Sequence, residues 1–221
     1  MVARRVAGLP LEQVLGWAKF CGLRIRMQPG VFVPRRRTEL LVAQATALAG
    51  PGAVVVDLCC GSGAVGAALL ALCPTVEVHA ADVDPAAVRC ARANVTGPRG
   101  HVYEGDLFAP LPPTLRGRVD VLVANAPYVP TQAIATMPAE ARLHEPRVAL
   151  DGGPDGMAVQ RRIVAEARTW LAADGHLLIE TSEHLADDLA VAFARHGLDP
   201  RVVRSPELDG TVAIGTLAPQ R

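Results

Sequence analysis

A turn with polar and aromatic side chains directly follows an apolar run, and such side chains can bind a ligand. Val119–Ala124 predicts a buried strand, and Asn125-Ala126-Pro127-Tyr128 follows at once. Because Pro127 has no N–H group, strand pairing stops there, and asparagine and tyrosine project from the strand's carboxyl end. Ligands bind at this edge of an open α/β sheet. Asparagine and proline are also common in turns that bind no ligand, so the tetrapeptide alone does not identify a ligand site.

A glycine turn supplies the first of these signals. The β-branched run Ala53–Asp57 predicts a strand, residues 64–72 predict a helix, and Gly61 and Gly63 lie between them. Glycine lets the backbone approach a ligand closely and present its amides at a helix start. Strand, glycine turn and helix in this order favour a nucleotide-like ligand over a plain turn.

Acidic residues follow the next two predicted strands. Asp82 lies about 20 residues beyond the glycine turn, where an acid binds a ribose diol in such sheets. Asp84 precedes Pro85 and is predicted to cap the next helix instead. Asp106 follows the third strand and can accept a hydrogen bond from an exocyclic amine such as that of adenine. A turn carboxylate is an equally good explanation of Asp106 taken alone.

The elements that must position these residues alternate between strand and helix, which predicts a three-layer α/β sandwich. The last two strands have no helical pattern between them and are expected to be antiparallel neighbours. Thr38 is predicted to cap the second helix, and residues 131–146 are predicted to be a polar loop. Predicted strands are 53–57, 75–81, 101–105, 119–124, 175–180, 201–204 and 211–217, and predicted helices are 11–21, 40–49, 64–72, 85–94, 157–173 and 184–197.

Composition narrows the possible functions of the 221 residues. The formal net charge is zero, which gives no strong signal for nucleic acid, and no apolar run is long enough to span a membrane. The five cysteines lack paired spacing, so we expect no disulfide scaffold and no metal site, but free thiols in a cytoplasmic protein. The run Arg35–Arg37 is typical of a solvated turn, although it can also face an acidic substrate.

Taken together, these residues resemble the class I S-adenosylmethionine-dependent methyltransferases. More narrowly, they resemble the protein glutamine N5-methyltransferases that modify peptide-chain release factors. The resemblance runs from about Gly8 to the C-terminus. It depends on the order and spacing of the segments 32–39, 57–63, 105–108, 125–128 and 145–156, together with Asp82.

The resemblance implies a Rossmann-like fold with a mostly parallel seven-stranded sheet and an antiparallel C-terminal strand. It implies S-adenosylmethionine as the cofactor. The implied cofactor-binding residues are Asp57, Cys59, Cys60, Gly61, Ser62, Gly63, Asp82, Val83, Asp106, Leu107 and Asn125. The implied acceptor site is Asn125, Ala126, Pro127 and Tyr128. There the Asn125 side-chain oxygen and the Ala126 carbonyl accept the two hydrogens of a planar NH₂ group, and Tyr128 forms a wall.

Three departures from the family pattern stand out. Ala126 replaces the usual first proline of the acceptor motif, and Cys59 replaces the usual first glycine of the cofactor loop. Family members generally carry an N-terminal helical domain that docks the release factor. We therefore expect residues 1–30 to be a short lead-in, the remnant of a linker to that domain, and residues 31–221 to be the methyltransferase domain.

The leading hypothesis is methylation of a glutamine side-chain amide in a protein, such as the Gly-Gly-Gln loop of a release factor. A second hypothesis is methylation of an amino group on a small molecule or a nucleic-acid base. A third is a cofactor-binding relative without catalysis. A dinucleotide oxidoreductase is disfavoured because the turn lacks the G-x-G-x-x-G spacing.

Overall fold

A computed structural model describes residues 1–218 of the chain. In chain order the helices are α1 (Val2–Val6), α2 (Leu11–Leu15), α3 (Glu39–Leu48), α4 (Ala64–Leu72), α5 (Pro85–Arg92), α6 (Ala139–His144), α7 (Ala158–Trp170) and α8 (Ala186–Arg195). The strands are β1 (Trp17–Phe20), β2 (Leu23–Arg26), β3 (Val54–Leu58), β4 (Glu77–Asp82), β5 (Gly100–Glu104), β6 (Val119–Ala124), β7 (Leu171–Thr181), β8 (Leu198–Ser205) and β9 (Gly210–Leu217).

Seven of these strands form one sheet in the order β5-β4-β3-β6-β7-β9-β8. The neighbours from β5 through β7 are parallel, whereas β9 is antiparallel to both β7 and β8. From β3 the chain proceeds outward to β4 and β5 and then returns to β6 on the other side of β3. The carboxyl ends of β3 and β6 therefore flank the topological switch point, where such sheets bind ligands. The predicted seven-stranded, mostly parallel sheet is confirmed.

Apolar side chains fill both faces of the sheet. One core cluster joins β3 and β4 to α3 and α4 through Val55, Val78, Leu41 and Leu69, all fully buried. The other lies on the opposite face and packs β6 and β7 against α7 and α8. Strands covered on both sides read as continuous apolar runs, which explains why the central strands were evident in the sequence. Among residues 1–218, the structure contains no helix with the length and hydrophobicity that a membrane crossing needs.

The lead-in segment differs from its prediction. The expected helix over 11–21 ends at Leu15, because Gly16 adopts a left-handed conformation, and an antiparallel β1–β2 hairpin follows. Phe20 of this hairpin is buried in the first core cluster. The Asn94 side chain ties the hairpin to the main body, accepting a hydrogen bond from the Arg26 amide at 2.8 Å and donating to the Ser62 carbonyl at 2.8 Å.

Two further local predictions were wrong. Thr38 makes no side-chain cap to α3, because it lies in a 3-10 turn and its hydroxyl is used elsewhere. Residues 131–146 are not simply a loop, since they contain a 3-10 helix and α6. By contrast, Asp84 caps α5 as predicted, accepting a hydrogen bond from the Ala86 amide at 2.8 Å.

Candidate active site

Strand register sets the positions of the polar side chains at the carboxyl edge of the sheet. Leu58 of β3 pairs with Ala81 of β4 and with Ala124 of β6, and Ala124 pairs with Ile179 of β7. The next residues along these four strands therefore form a row across the edge. They are Asp82, Cys59, Asn125 and Glu180. At about 4.8 Å between strands, Asp82 and Asn125 are separated by roughly 10 Å.

A cavity of about 450 Å³ opens at this edge. Its size is typical of sites that hold a small molecule. The cavity brings together all but one of the predicted site residues, those predicted for the cofactor and those predicted for the acceptor. These lining residues are Asp57, Cys59, Cys60, Gly61, Ser62, Asp82, Val83, Asp106, Leu107, Asn125, Ala126, Pro127 and Tyr128.

Gly63 is the predicted residue that does not line the cavity. It lies at the start of α4 with φ +74°, and a Cβ atom there would be 2.9 Å from Val95 Cγ2 and 3.0 Å from Ala91 Cα. Glycine at this position therefore serves close packing against α5. Gly61 is different, because no atom lies within 4 Å of the place where its Cβ would be. Its backbone is open to the cavity.

Asp57 is buried beneath the glycine turn. Its Oδ2 accepts a hydrogen bond from the Gly66 amide at 3.0 Å, which holds the first turn of α4 against the end of β3. Burial raises the pKa of this carboxyl to about 7, while the Gly66 hydrogen bond opposes the shift and Asp82 adds to it.

Two backbone amides fix the orientation of Asp82. Its Oδ2 accepts a hydrogen bond from Gly61 at 2.8 Å and its Oδ1 accepts one from Asp84 at 2.9 Å. Burial raises the pKa of Asp82, and these hydrogen bonds oppose the shift. Each oxygen retains a second lone pair, so the carboxylate can still accept hydrogen bonds from two neighbouring hydroxyls of a ligand.

Asp106 has a partner that sequence patterns did not indicate. Arg162 of α7 donates a hydrogen bond to Asp106 Oδ2 at 2.6 Å, and both side chains are about half exposed. Leu107 beside it is buried and has a positive φ of 48°. A charged pair and an apolar side chain thus stand together at this end of the cavity.

The predicted acceptor turn, residues 125–128, is held by a residue far away in the chain. Asn125 Nδ2 donates a hydrogen bond to the Thr38 hydroxyl at 3.3 Å, which gives the asparagine amide a definite orientation. Asn125 Oδ1 is then oriented to accept a hydrogen bond from another group. Ala126 is fully buried within this turn and borders the cavity.

A buried carboxylate lies behind the acceptor turn. Glu180 is 1% exposed, and Arg37 Nε donates a hydrogen bond to its Oε1 at 3.2 Å. Burial raises the pKa of Glu180, while hydrogen bonding from Thr38 and the charge of Arg37 oppose the shift. Burial also raises the pKa of the Tyr128 hydroxyl, with Glu180 adding to the effect and Arg37 opposing it. Thr38, Arg37, Glu180 and Tyr128 therefore form one polar cluster beside Asn125.

The glycine-rich loop 151–156 supports the acceptor turn from the other side. Val129 donates a backbone hydrogen bond to Leu150 and accepts one from Gly152, at 3.1 and 2.8 Å. Gly156 has φ +81°, and a Cβ atom there would lie 2.5 Å from the Tyr128 carbonyl oxygen. Only glycine allows this close approach of the two backbones.

The three consecutive arginines have separate roles. Arg35 binds both carboxylate oxygens of Glu145 at 2.7 Å, and Arg37 binds Glu180 as described above. Arg36 is exposed. A fully solvated turn does not describe this segment, because Arg35 and Arg37 pair with buried carboxylates of the protein itself and also line the cavity.

Sequence reasoning missed Thr38, Glu180 and Arg162 as members of the site. Thr38 carried a signal for helix capping, and Arg162 lies on an ordinary amphipathic helix. Glu180 did carry a signal, since a carboxylate at the end of an apolar strand has to be compensated when it is buried.

Comparisons with known proteins identify relatives of this chain. Residues 22–194 match the methyltransferase small domain family. The chain is 41% identical over 212 residues to the release factor glutamine methyltransferase of Mycolicibacterium smegmatis, covering 95% of this chain and 75% of that protein. It is 38% identical over 199 residues to the release factor glutamine methyltransferase of Geobacter sulfurreducens, covering 89% of this chain and 69% of that protein.

Solved structures share the fold. A methyltransferase from Pyrococcus furiosus superposes with a TM-score of 0.68 at 18% identity, covering 98% of this chain and 99% of that chain. The release-factor-specific protein-(glutamine-N5) methyltransferase of Alicyclobacillus acidocaldarius superposes with a TM-score of 0.52 at 24% identity, covering 85% of this chain and 95% of that chain. At these identities the similarity supports the Rossmann-like architecture.

The raised pKa of Asp57 predicts a pH-dependent stability. The folded protein keeps the Asp57 proton up to about pH 7, whereas the unfolded chain loses it near the ordinary value of 3.8. Between these values the folded state binds more protons, so Asp57 lowers the free energy of unfolding as the pH rises. Asp57→Asn retains an acceptor oxygen for Gly66 but cannot ionise. We expect it to gain stability relative to the wild type from pH 5 to pH 8, measured by urea unfolding.

Asp188→Asn is the matched control, because Asp188 is exposed on α8. Its stability difference from the wild type should be the same at both pH values. A constant difference for Asp57→Asn as well would show that Asp57 does not hold a proton in the folded protein.

Proposed function

This chain belongs to the methyltransferase small domain family and, within it, to the release factor glutamine methyltransferases, and we propose that it methylates the side-chain amide nitrogen of a release-factor glutamine. The methyl donor in this proposal is S-adenosylmethionine. The single observation that carries the proposal is that the residues suited to this cofactor and those suited to a planar amide line the same cavity.

The cavity residues suit the proposed cofactor. The open space beside the Gly61 backbone suits the amino acid portion of the cofactor, and the carboxylate of Asp82 next to it offers paired acceptors to a ribose. Leu107 offers an apolar surface for a base, and Asp106 an acceptor for its amine. When bound, S-adenosylmethionine would supply a methyl group on a positively charged sulfur. A new N–C bond to that methyl group would form as the S–C bond breaks, the sulfur would leave as a neutral thioether, and the nitrogen would lose one of its protons to solvent.

Cys59 is compatible with this binding mode in spite of the departure from glycine. It has a positive φ of 55°, the conformation that favours glycine and explains why the related motif has one here. Cysteine adopts the same backbone at a modest cost, and its side chain is small. Val83 is half exposed directly beyond Asp82, where it can cover one side of a ribose or base.

Asn125 and Ala126 provide the acceptor site in this proposal. With its NH₂ group bonded to Thr38, Asn125 offers its carbonyl oxygen to one hydrogen of the substrate amide, and the Ala126 carbonyl accepts the other. An amide nitrogen is a poor nucleophile because its lone pair is delocalised into the carbonyl. Two acceptors on its hydrogens favour pyramidalisation and direct the lone pair. Tyr128 holds the amide plane from the side.

Positioning is the main contribution of the protein to the rate in this mechanism. Glu180 and Arg37 pair with each other beside Tyr128 and Thr38, and Thr38 keeps the Asn125 amide in one of its two orientations. Ala126 replaces the first proline of the family's motif, but the second, Pro127, is present. Because a proline restricts the residue before it, Pro127 favours an extended backbone at Ala126 and so restrains the direction of the Ala126 carbonyl. No side chain needs to act as a strong base.

The substrate and location follow from the same proposal. We infer that residues 31–221 form the catalytic domain, that residues 1–30 form its lead-in, and that the protein acts in the cytoplasm, where release factors work. Five free cysteines agree with a reducing compartment.

The direct test uses the purified chain, a release factor and S-adenosylmethionine with a labelled methyl group. We expect label on the glutamine of the Gly-Gly-Gln loop, located by mass spectrometry of the digested factor. A release factor with that glutamine replaced by asparagine should take up no label. Label on another residue, or transfer to a small molecule or nucleic acid alone, would contradict the proposed substrate.

Asp82→Ala should weaken the binding of S-adenosylmethionine by about ten- to a hundredfold. The reason is the loss of the hydrogen bonds from the ribose hydroxyls to a carboxylate, and this change in affinity corresponds to about 1.4–2.8 kcal/mol in total. Isothermal titration calorimetry measures this affinity. Glu104→Ala is the matched control, because Glu104 is the register partner of Asp82 on β5 and is exposed. Equal affinity in the Asp82→Ala variant and the wild type would remove Asp82 from the cofactor site.

Asn125→Ala should lower kcat by about a hundred- to a thousandfold, with a far smaller change in cofactor affinity and an intact fold. Thr38→Val should lower kcat by about tenfold, because it removes only the group that orients Asn125. Single-turnover transfer to the release factor measures both. Gln132→Ala, an exposed residue shortly after the turn, is the control. Near-normal turnover of Asn125→Ala would mean that the amide binds elsewhere.

A further inference from the structure

Three potential metal ligands meet on the sheet away from the cavity. His79 of β4 and His101 of β5 are register partners on adjacent parallel strands, and Glu77 lies two residues before His79 on the same face of β4. Their ligand atoms all lie within 4.8 Å of one another. The two imidazole rings are stacked, with centroids 4.8 Å apart and planes inclined by 20°.

One carboxylate oxygen faces both rings. Glu77 Oε1 lies 3.1 Å from His79 Nε2 and 3.2 Å from His101 Nε2. The contact to His79 does not have the geometry of a hydrogen bond, so its buried Nε2 has no hydrogen-bond partner in the part of the chain that the structure describes. His79 is only 4% exposed. A buried ring nitrogen without a partner is costly unless something else compensates it.

The second nitrogen of His79 is already engaged. Its Nδ1 lies 3.0 Å from the Tyr103 hydroxyl, two residues beyond His101 on β5. An imidazole whose one nitrogen is held by a hydrogen bond presents the other in a fixed direction, as is usual for histidines that bind metals. Burial lowers the pKa of His79, with Glu77 opposing and His101 adding to the shift.

We propose that Glu77, His79 and His101 bind a divalent transition-metal ion such as Zn²⁺ on the face of strands β4 and β5. Two imidazoles and one carboxylate are a ligand set that suits Zn²⁺, with the fourth position open to water. Glu77 and His101 are 47% and 39% exposed at the side chain, which provides an entry path. The ion fastens the edge strand β5 to β4, the strand that ends at Asp82.

Calorimetric titration of ZnCl₂ into the full chain, first treated with a chelator, tests the proposal. We expect one equivalent to bind with a Kd at or below the micromolar range. His101→Ala and Glu77→Gln should each weaken binding by at least about a hundredfold, because each removes one of three ligands, and loss of a residue that only supports a ligand already costs about ten- to a hundredfold. Both residues are partly exposed, so the variants should fold, which a thermal melt without metal verifies. His184→Ala, an exposed histidine elsewhere, should bind as the wild type does.

Co²⁺ in place of Zn²⁺ identifies the ligands independently. Visible d–d bands in the wild type that are lost in His101→Ala support the site. A sulfur-to-metal charge-transfer band would place the ion on a cysteine and overturn the proposal, as would equal Zn²⁺ affinity in the wild type and His101→Ala. Cofactor binding and methyl transfer are measured separately with the metal-free chain, so failure of the metal site and failure of the proposed function are distinguishable.

Discussion

The active-site cavity depends on the register of four parallel strands. Leu58, Ala81, Ala124 and Ile179 lie side by side in β3, β4, β6 and β7, so the residue after each of them reaches the carboxyl edge at the same level. A slip of one residue in any pair would turn that strand's side chains to the opposite faces of the sheet. The apolar residues of the central strands, packed on both faces, prevent such a slip. Core packing therefore sets the geometry of the polar edge.

Glu180 is a buried carboxylate at that edge, and its burial has an electrostatic cost. Burying a carboxylate is unfavourable unless charged and hydrogen-bonding partners compensate it. Arg37 and Thr38, from a segment more than 140 residues earlier in the chain, offset part of the cost of burying Glu180. The same Thr38 then reaches Asn125. Pairing the buried carboxylate and orienting Asn125 are thus one arrangement, which connects the segment before α3 to the turn after β6.

Sequence patterns predicted the strands, turns and helix caps that depend on a few neighbouring residues. The apolar runs, the glycine turn and the Asp84 cap were evident because each is read from a few adjacent residues, and β6 and α4 lie where they were predicted. The helix expected over 11–21 failed because Gly16 ends it and a hairpin packs into the core instead. The partners of Glu180 and Asp106 were not predictable, since Arg37 and Arg162 meet them only through the fold.

His79 and His101 extend this argument to the other end of the strands. They are 22 positions apart in sequence and have none of the spacing that marks a metal-binding motif. Parallel pairing of β4 with β5 places them opposite each other, and the two-residue repeat of a strand adds Glu77 and Tyr103 to the same face. Cysteine spacing, on which the expectation of no metal site was based, carries no information about such a cluster. Parallel register brings together side chains from separate strands, so the chemistry of this sheet becomes visible only when its strand order is known.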